Sequence, residues 1–135
     1  MRGTNVMRSK IILVVDDEQR IADTLALILQ GNGYMTAVAY EGDSALAQCF
    51  KIRPDLLFTD VVMPGMNGIE LALAVSEKFP KCKVLLFSGQ AATTELLDRA
   101  RKHGRDFPLL SKPVHPEDLL KRVDEILNPS KLQAA

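Results

Sequence analysis

A chain of 135 residues, 47% of them apolar, can fill one core and leaves little room for a second domain. Lys plus Arg, at 17, balances Asp plus Glu, at 17, so the overall charge gives no argument for nucleic acid or an acidic membrane as partner. No apolar run exceeds five residues, which excludes a membrane-spanning helix, and the acids directly after Ile11–Val15 argue against a signal peptide. The expected location is the cytoplasm, with Cys49 and Cys82 as reduced, mostly buried thiols.

Residues 1–9, with Arg2 and Arg8 and no acid, read as a flexible N-terminal tail. Residues 10–128 read as one folded domain and 129–135 as a C-terminal tail. The first strand is expected at Ile11–Val15. Ile21, Leu25 and Ile28 then repeat at helical spacing, with Ala22 and Leu29 widening the stripe. Gly31-Asn32-Gly33 supplies left-handed residues to end that helix. A weaker strand is expected within Tyr34–Tyr40. The second helix runs from about Glu41 to Lys51 and stops before Pro54.

The third strand is expected at Leu56–Phe58. Asn67 caps a helix that runs to about Phe79 and ends at Pro80. Val84–Phe87 is the fourth strand. A fourth helix covers about Ala92 to His103 and closes at Gly104. Leu109–Leu110 is the fifth strand. The last helix starts near Pro116, with Glu117 and Asp118 well placed against the helix dipole, and ends near Asn128-Pro129.

Five strands alternating with five helices require parallel strands, because each helix returns the chain to the same end. The solidly apolar Ile11–Val15 and Val84–Phe87 suit strands covered on both faces. The fold class is therefore α/β, a doubly wound sheet with right-handed crossovers. In such a sheet the carboxyl ends of all strands share one edge, where ligands bind.

The sequence places polar groups at those ends in turn. Asp16 and Asp17 follow the first strand, Asp60 the third, Ser88 the fourth and Lys112 the fifth. Crowded carboxylates repel unless a cation joins them. A hard divalent ion such as Mg²⁺ prefers oxygen ligands and uses one or two carboxylates directly. Lys112 adds a point charge suited to a phosphate oxygen, and Ser88 adds a hydroxyl donor. Each residue alone has a plainer explanation as a helix cap, a turn residue or a solvated charge. Together, at four strand ends, they form a cradle for a phosphoryl group on, or moving onto, a carboxylate.

The stretches "ILVVDDE", "PDLLFTDVVMPGMNG", "LLFSG" and "LSKPV" resemble the receiver domain of bacterial two-component response regulators, over about Lys10 to Leu127. "EGDSALA" fits the start of that family's second helix. The resemblance implies a flavodoxin-like (βα)5 fold with strand order 2-1-3-4-5. It implies that Asp60 is the phosphoacceptor, attacking a phosphohistidine on a histidine kinase or phosphotransfer protein. Asp17 would bind Mg²⁺ directly, Asp16 through water, and the backbone carbonyl of Val62 would be a further ligand. Lys112 would pair with Asp60 or its phosphoryl group, and Ser88 would bond that group on activation. The Lys112–Pro113 peptide is expected to be cis. Fourth helix, fifth strand and fifth helix would form the switching face, which also suits dimerisation and a downstream protein effector.

Leu109 departs from the family pattern, which often has an aromatic residue three positions before the lysine. The Gly104-to-Lys112 spacing is one residue longer than the commonest pattern. Phe107 is expected to pack under the fourth helix. Val62 and Gln90 occupy the positions that would set phosphoryl lifetime. His115 reads as a helix-start residue and His103 as complementing a helix end.

The expected function is a phosphorylation switch without an output domain of its own or direct contact with nucleic acid. It would be a regulator that catalyses only its own phosphotransfer and dephosphorylation. Two alternatives are a receiver-like interaction module that is never phosphorylated and a fragment of a larger regulator. A haloacid-dehalogenase-like phosphohydrolase fits less well, because "VVDDE" lacks the Asp-x-Asp spacing of that class.

Overall fold

The computed structural model describes residues 9–89 and 93–129. Gln90 and the expected helix start at Ala92 lie outside the described residues, as do most of both expected tails. Five strands and five helices alternate: β1 Ile11–Val15, α1 Gln19–Gln30, β2 Met35–Ala39, α2 Gly42–Ile52, β3 Leu56–Asp60, α3 Gly68–Lys78, β4 Lys83–Ser88, α4 Thr93–Lys102, β5 Leu109–Ser111 and α5 Pro116–Leu127. The strands form one sheet in the order β2-β1-β3-β4-β5, and every neighbouring pair is parallel. The (βα)5 doubly wound fold expected from the sequence is therefore the fold of the chain.

The apolar runs form central strands because both their faces are covered. Ile12 to Val15, Leu56 to Phe58 and Leu85 to Phe87 are completely buried. Alternate residues point to opposite faces of a strand. Thus Leu13, Val15, Leu57 and Leu86 join the core that includes residues of α2, α3 and α4. Ile12, Val14, Phe58 and Phe87 join the core that includes residues of α1 and α5. Phe58 and Phe87 meet with ring centroids 4.4 Å apart, on adjacent strands of that second face.

Local chemistry fixes the helix ends. Asn67 caps α3 in a full capping box: its side chain accepts from the Glu70 N–H at 2.8 Å, while Glu70 accepts from the Asn67 N–H at 2.9 Å. Arg53 closes α2 in the left-handed region, φ 48°, immediately before Pro54. The end of α1 differs from expectation. Gly33 is left-handed at φ 97°, but Gly31 keeps a right-handed φ of −65°. Its N–H continues the helical pattern to the Leu27 carbonyl at 2.9 Å, so one left-handed glycine is enough for the turn. His115 precedes α5 as its N-cap without a side-chain cap bond, and His103 Nδ1 lies 2.9 Å from the Arg99 carbonyl at the end of α4.

Candidate functional site

The parallel sheet carries Val15, Asp60 and Ser88 to its carboxyl edge, and the residues just beyond complete a cluster there. The Asp16 N–H donates to the Ala39 carbonyl of β2 at 3.2 Å, and Asp16 Oδ1 accepts from the Glu18 N–H at 2.9 Å. These bonds hold the buried Asp16 side chain in place while the next residue, Asp17, stands exposed. Asp60 is the last residue of β3 and is 4% exposed. The Val61 N–H reaches the Phe87 carbonyl at 3.1 Å, tying the chain after Asp60 to β4.

Carboxylate oxygens of Asp16, Asp17 and Asp60 lie within 4.8 Å of one another. Lys112 Nζ is 3.3 Å from Asp16 Oδ2 and 3.3 Å from Asp60 Oδ2, so its ammonium bridges two buried carboxylates. The same Nζ lies 5.2 Å from the centroid of the Phe87 ring. The Lys112–Pro113 peptide is cis, as expected, directly beside this lysine. The Lys112 N–H donates to the Ser88 carbonyl at 3.0 Å, which joins the ends of β5 and β4.

Burial dominates the electrostatics. It pushes the Asp16 carboxyl up to about 6, helped by the Asp60 charge and opposed by the Glu18 N–H and by Lys112. Burial also raises Asp60, against the Lys112 ammonium and the Val61 N–H. For Lys112, burial disfavours the charge, but the Asp60 and Asp16 carboxylates outweigh it and raise its pKa. One ammonium thus pairs with two of the three clustered acids. The all-oxygen donor set, with carboxylates close enough to share an ion, fits a hard divalent cation such as Mg²⁺.

The structure brings Asp16, Asp17, Asp60 and Lys112 together and sets Ser88 at the neighbouring strand end. Val62 is 39% exposed, two residues beyond Asp60. Leu109 and Phe107 both pack on the core cluster containing Ala100 of α4. Two contributors were missed from the sequence. A Cβ on Gly68 would stand 2.0 Å from the Asp60 carbonyl oxygen, and the Gly68 N–H donates to the Val61 carbonyl at 2.7 Å. The second glycine of "PGMNG" therefore lets α3 close against the backbone of Asp60. Thr93 is the other: its hydroxyl is hydrogen-bonded to that of Ser88, and both side chains are buried. No local pattern marked Thr93 beyond its place near a helix start.

The family model for the response regulator receiver domain matches residues 12–124. The chain belongs to the response regulator receiver family. This receiver domain is 35% identical over 118 residues to the response regulator receiver protein CpdR of Brucella abortus, covering 87% of this chain and 97% of CpdR. It is 33% identical over 121 residues to the DNA-binding response regulator MtrA of Mycobacterium tuberculosis H37Rv, covering 88% of this chain. The chain spans about half, 50%, of the length of that relative.

Among solved structures, the CheY-like receiver domain protein of Methanospirillum hungatei JF-1 superposes on the receiver with a TM-score of 0.80 at 29% identity. It covers 93% of this chain and 99% of its own. The chemotaxis protein CheY4 of Vibrio cholerae gives 0.79 at 30% identity, covering 89% and 100%. The chain is thus a CheY-like receiver of two-component signalling. Among the described residues, no helix is long and apolar enough to cross a membrane.

Proposed function

We propose that this receiver is a phosphorylation switch that accepts a phosphoryl group on Asp60 from the phosphohistidine of a histidine kinase or phosphotransfer protein. The carrying observation is the Lys112 ammonium held 3.3 Å from the Asp60 carboxylate, in a cluster with Asp16 and Asp17. An Asp60 oxygen attacks phosphorus. The P–O bond forms, the P–N bond breaks, and the partner's imidazole leaves with the electron pair. The product carries about one more negative charge than Asp60 alone. Lys112 meets that charge without a long movement, and Ser88 supplies a hydroxyl to a phosphoryl oxygen.

Asp16, Asp17 and Asp60, with the Val62 backbone carbonyl, would hold Mg²⁺. When bound, the ion supplies positive charge against the charge building on the transferring oxygens. Water later attacks phosphorus, the P–O bond to Asp60 breaks, inorganic phosphate leaves and Asp60 returns to its carboxylate; Val62 and Gln90 would set how fast this happens. Output passes through protein contacts on the face built from α4, β5 and α5, the same face that would serve dimerisation. The DNA binding in MtrA's name belongs to that protein; the described residues here comprise the receiver fold and its short flanks.

The test is intact-mass measurement after incubation with acetyl phosphate and Mg²⁺. The wild-type chain gains the mass of one phosphoryl group, whereas Asp60→Asn gains none. Equal labelling of the variant removes Asp60 from the acceptor role. A wild-type chain that stays unlabelled by acetyl phosphate and by candidate kinases supports an interaction module instead.

A further inference from the structure

We propose that Thr93 is a positioning residue that holds the Ser88 hydroxyl in the resting state and couples its movement to α4. The proposal deepens, and rests on, the phosphorylation of Asp60 argued above. Ser88 closes β4 and Thr93 opens α4. Their hydroxyls are hydrogen-bonded to each other, with Ser88 6% and Thr93 5% exposed. A buried hydroxyl bond is costly to lose outright, so the Thr93 contact exchanges most easily for another acceptor within reach of Ser88. Phosphoryl oxygens on Asp60 supply it, because Asp60 pairs in register with Phe87, the residue before Ser88.

The two side chains are not equivalent. Threonine is branched at Cβ and has few χ1 choices, so the direction of its hydroxyl follows the first turn of α4. Serine turns more freely. A Ser88 hydroxyl that bonds Thr93 at rest and a phosphoryl oxygen after transfer makes a two-state element. Thr93 weights the resting state, and loss of its contact frees the first turn of α4.

The surroundings give that turn somewhere to go. A cavity of about 470 Å³ adjoins the pair, lined among others by Ser88, Thr93, Leu97, Leu109, Ser111 and Lys112. It lies between α4 and β5, and one of its walls is the lysine of the site. Leu109 has neither ring nor polar tip with which to follow Ser88. The hydroxyl pair links the end of β4 directly to α4, and it carries the coupling.

The experiment compares the full chain as wild type, Thr93→Val, Thr93→Ala and Thr93→Ser by amide NMR, before and after acetyl phosphate with Mg²⁺. Intact mass is followed throughout. In unphosphorylated Thr93→Val and Thr93→Ala, amides of α4 move along the line joining the resting and phosphorylated wild-type positions. That shift corresponds to a roughly fivefold rise in the active-like population, the size expected for one hydrogen bond. Thr93→Ser restores the hydroxyl and stays with resting wild type. The alanine variant only removes atoms, so it carries the test if valine does not fold. Labelled wild type with α4 amides unmoved in Thr93→Val and Thr93→Ala overturns the role of Thr93 alone. The same holds if Thr93→Ser moves as far as they do. Wild type that gains no phosphoryl mass overturns the Asp60 reading, and this proposal with it.

Discussion

Asp16 carries a charge that its environment disfavours. Its carboxyl sits near 6 in the folded chain against an ordinary 3.8, chiefly because it is buried. The folded chain therefore holds this proton more tightly than the unfolded chain does. The associated stability is complete below about pH 3.8 and is lost as pH rises through about 6. Thermal melts of metal-free protein should show Tm falling across that window, with a flatter profile for Asp16→Asn. A wild-type Tm that rises relative to the variant over the same window would contradict the burial argument. Mg²⁺ added at neutral pH should raise Tm by mass action on the folded state. Asp17→Ala should weaken Mg²⁺ binding far more than Ser88→Ala, and a metal titration of the two variants could show the reverse. These acids were legible in the sequence because parallel strands put all carboxyl ends on one edge, whatever their separation along the chain. Thr93 was not legible, because the approach of its hydroxyl to Ser88 depends on how α4 enters its first turn.

The join of α3 to the end of β3 shows how packing positions a site from outside the chemistry. Gly68 begins α3 where a methyl group would collide with the Asp60 carbonyl. The collision is with backbone, so Gly68→Ala must push α3 and the end of β3 apart. A destabilisation of about 1–3 kcal/mol is expected from such overpacking. Denaturant titration should show it, and phosphoryl acceptance should fall as Asp60 is displaced; full stability and labelling would mean that α3 gives way freely. The capping box beside it is separable: Asn67→Ala should cost about 1 kcal/mol and leave labelling largely intact. Proline and capping signals made the ends of α2 and α3 readable to within a residue. Gly31 misled because a Gly-Asn-Gly run holds two candidate left-handed positions, and the helix uses only the second. The packing of Gly68 was hidden because a glycine beside a helix cap looks like turn chemistry until the neighbouring strand is placed.

For the whole molecule, one sheet separates two cores, and Cys49 and Cys82 both lie in the core on the α2–α3–α4 side. Burial pushes Cys49 up to about 11 and Cys82 up to about 12, the latter helped by Cys49 and Asp55. Both thiols are therefore neutral and shielded at pH 8. Reaction with a thiol reagent should follow the denaturant unfolding curve, and fast labelling of native protein would show the core to be open. The raised values also predict stability lost above about pH 9, as unfolded thiols ionise before folded ones. The two cores were readable because central parallel strands are apolar on both faces and each flanking helix has one apolar stripe. Strand order 2-1-3-4-5 was not contained in those patterns; it came with the family resemblance, and the observed pairing bears it out.

The central claim at this scale is that side chains from the ends of β1, β3, β4 and β5 act as one phosphoryl-accepting site whose acceptor is Asp60. Borohydride reduction of acetyl-phosphate-treated protein, followed by peptide mass mapping, tests it most directly, since an aspartyl phosphate is reduced to homoserine at the labelled position. The account predicts homoserine at position 60 alone, dependent on Mg²⁺ and strongly reduced in Lys112→Ala. Reduction at another acid, or an untouched Asp60 in a phosphorylated chain, would contradict it.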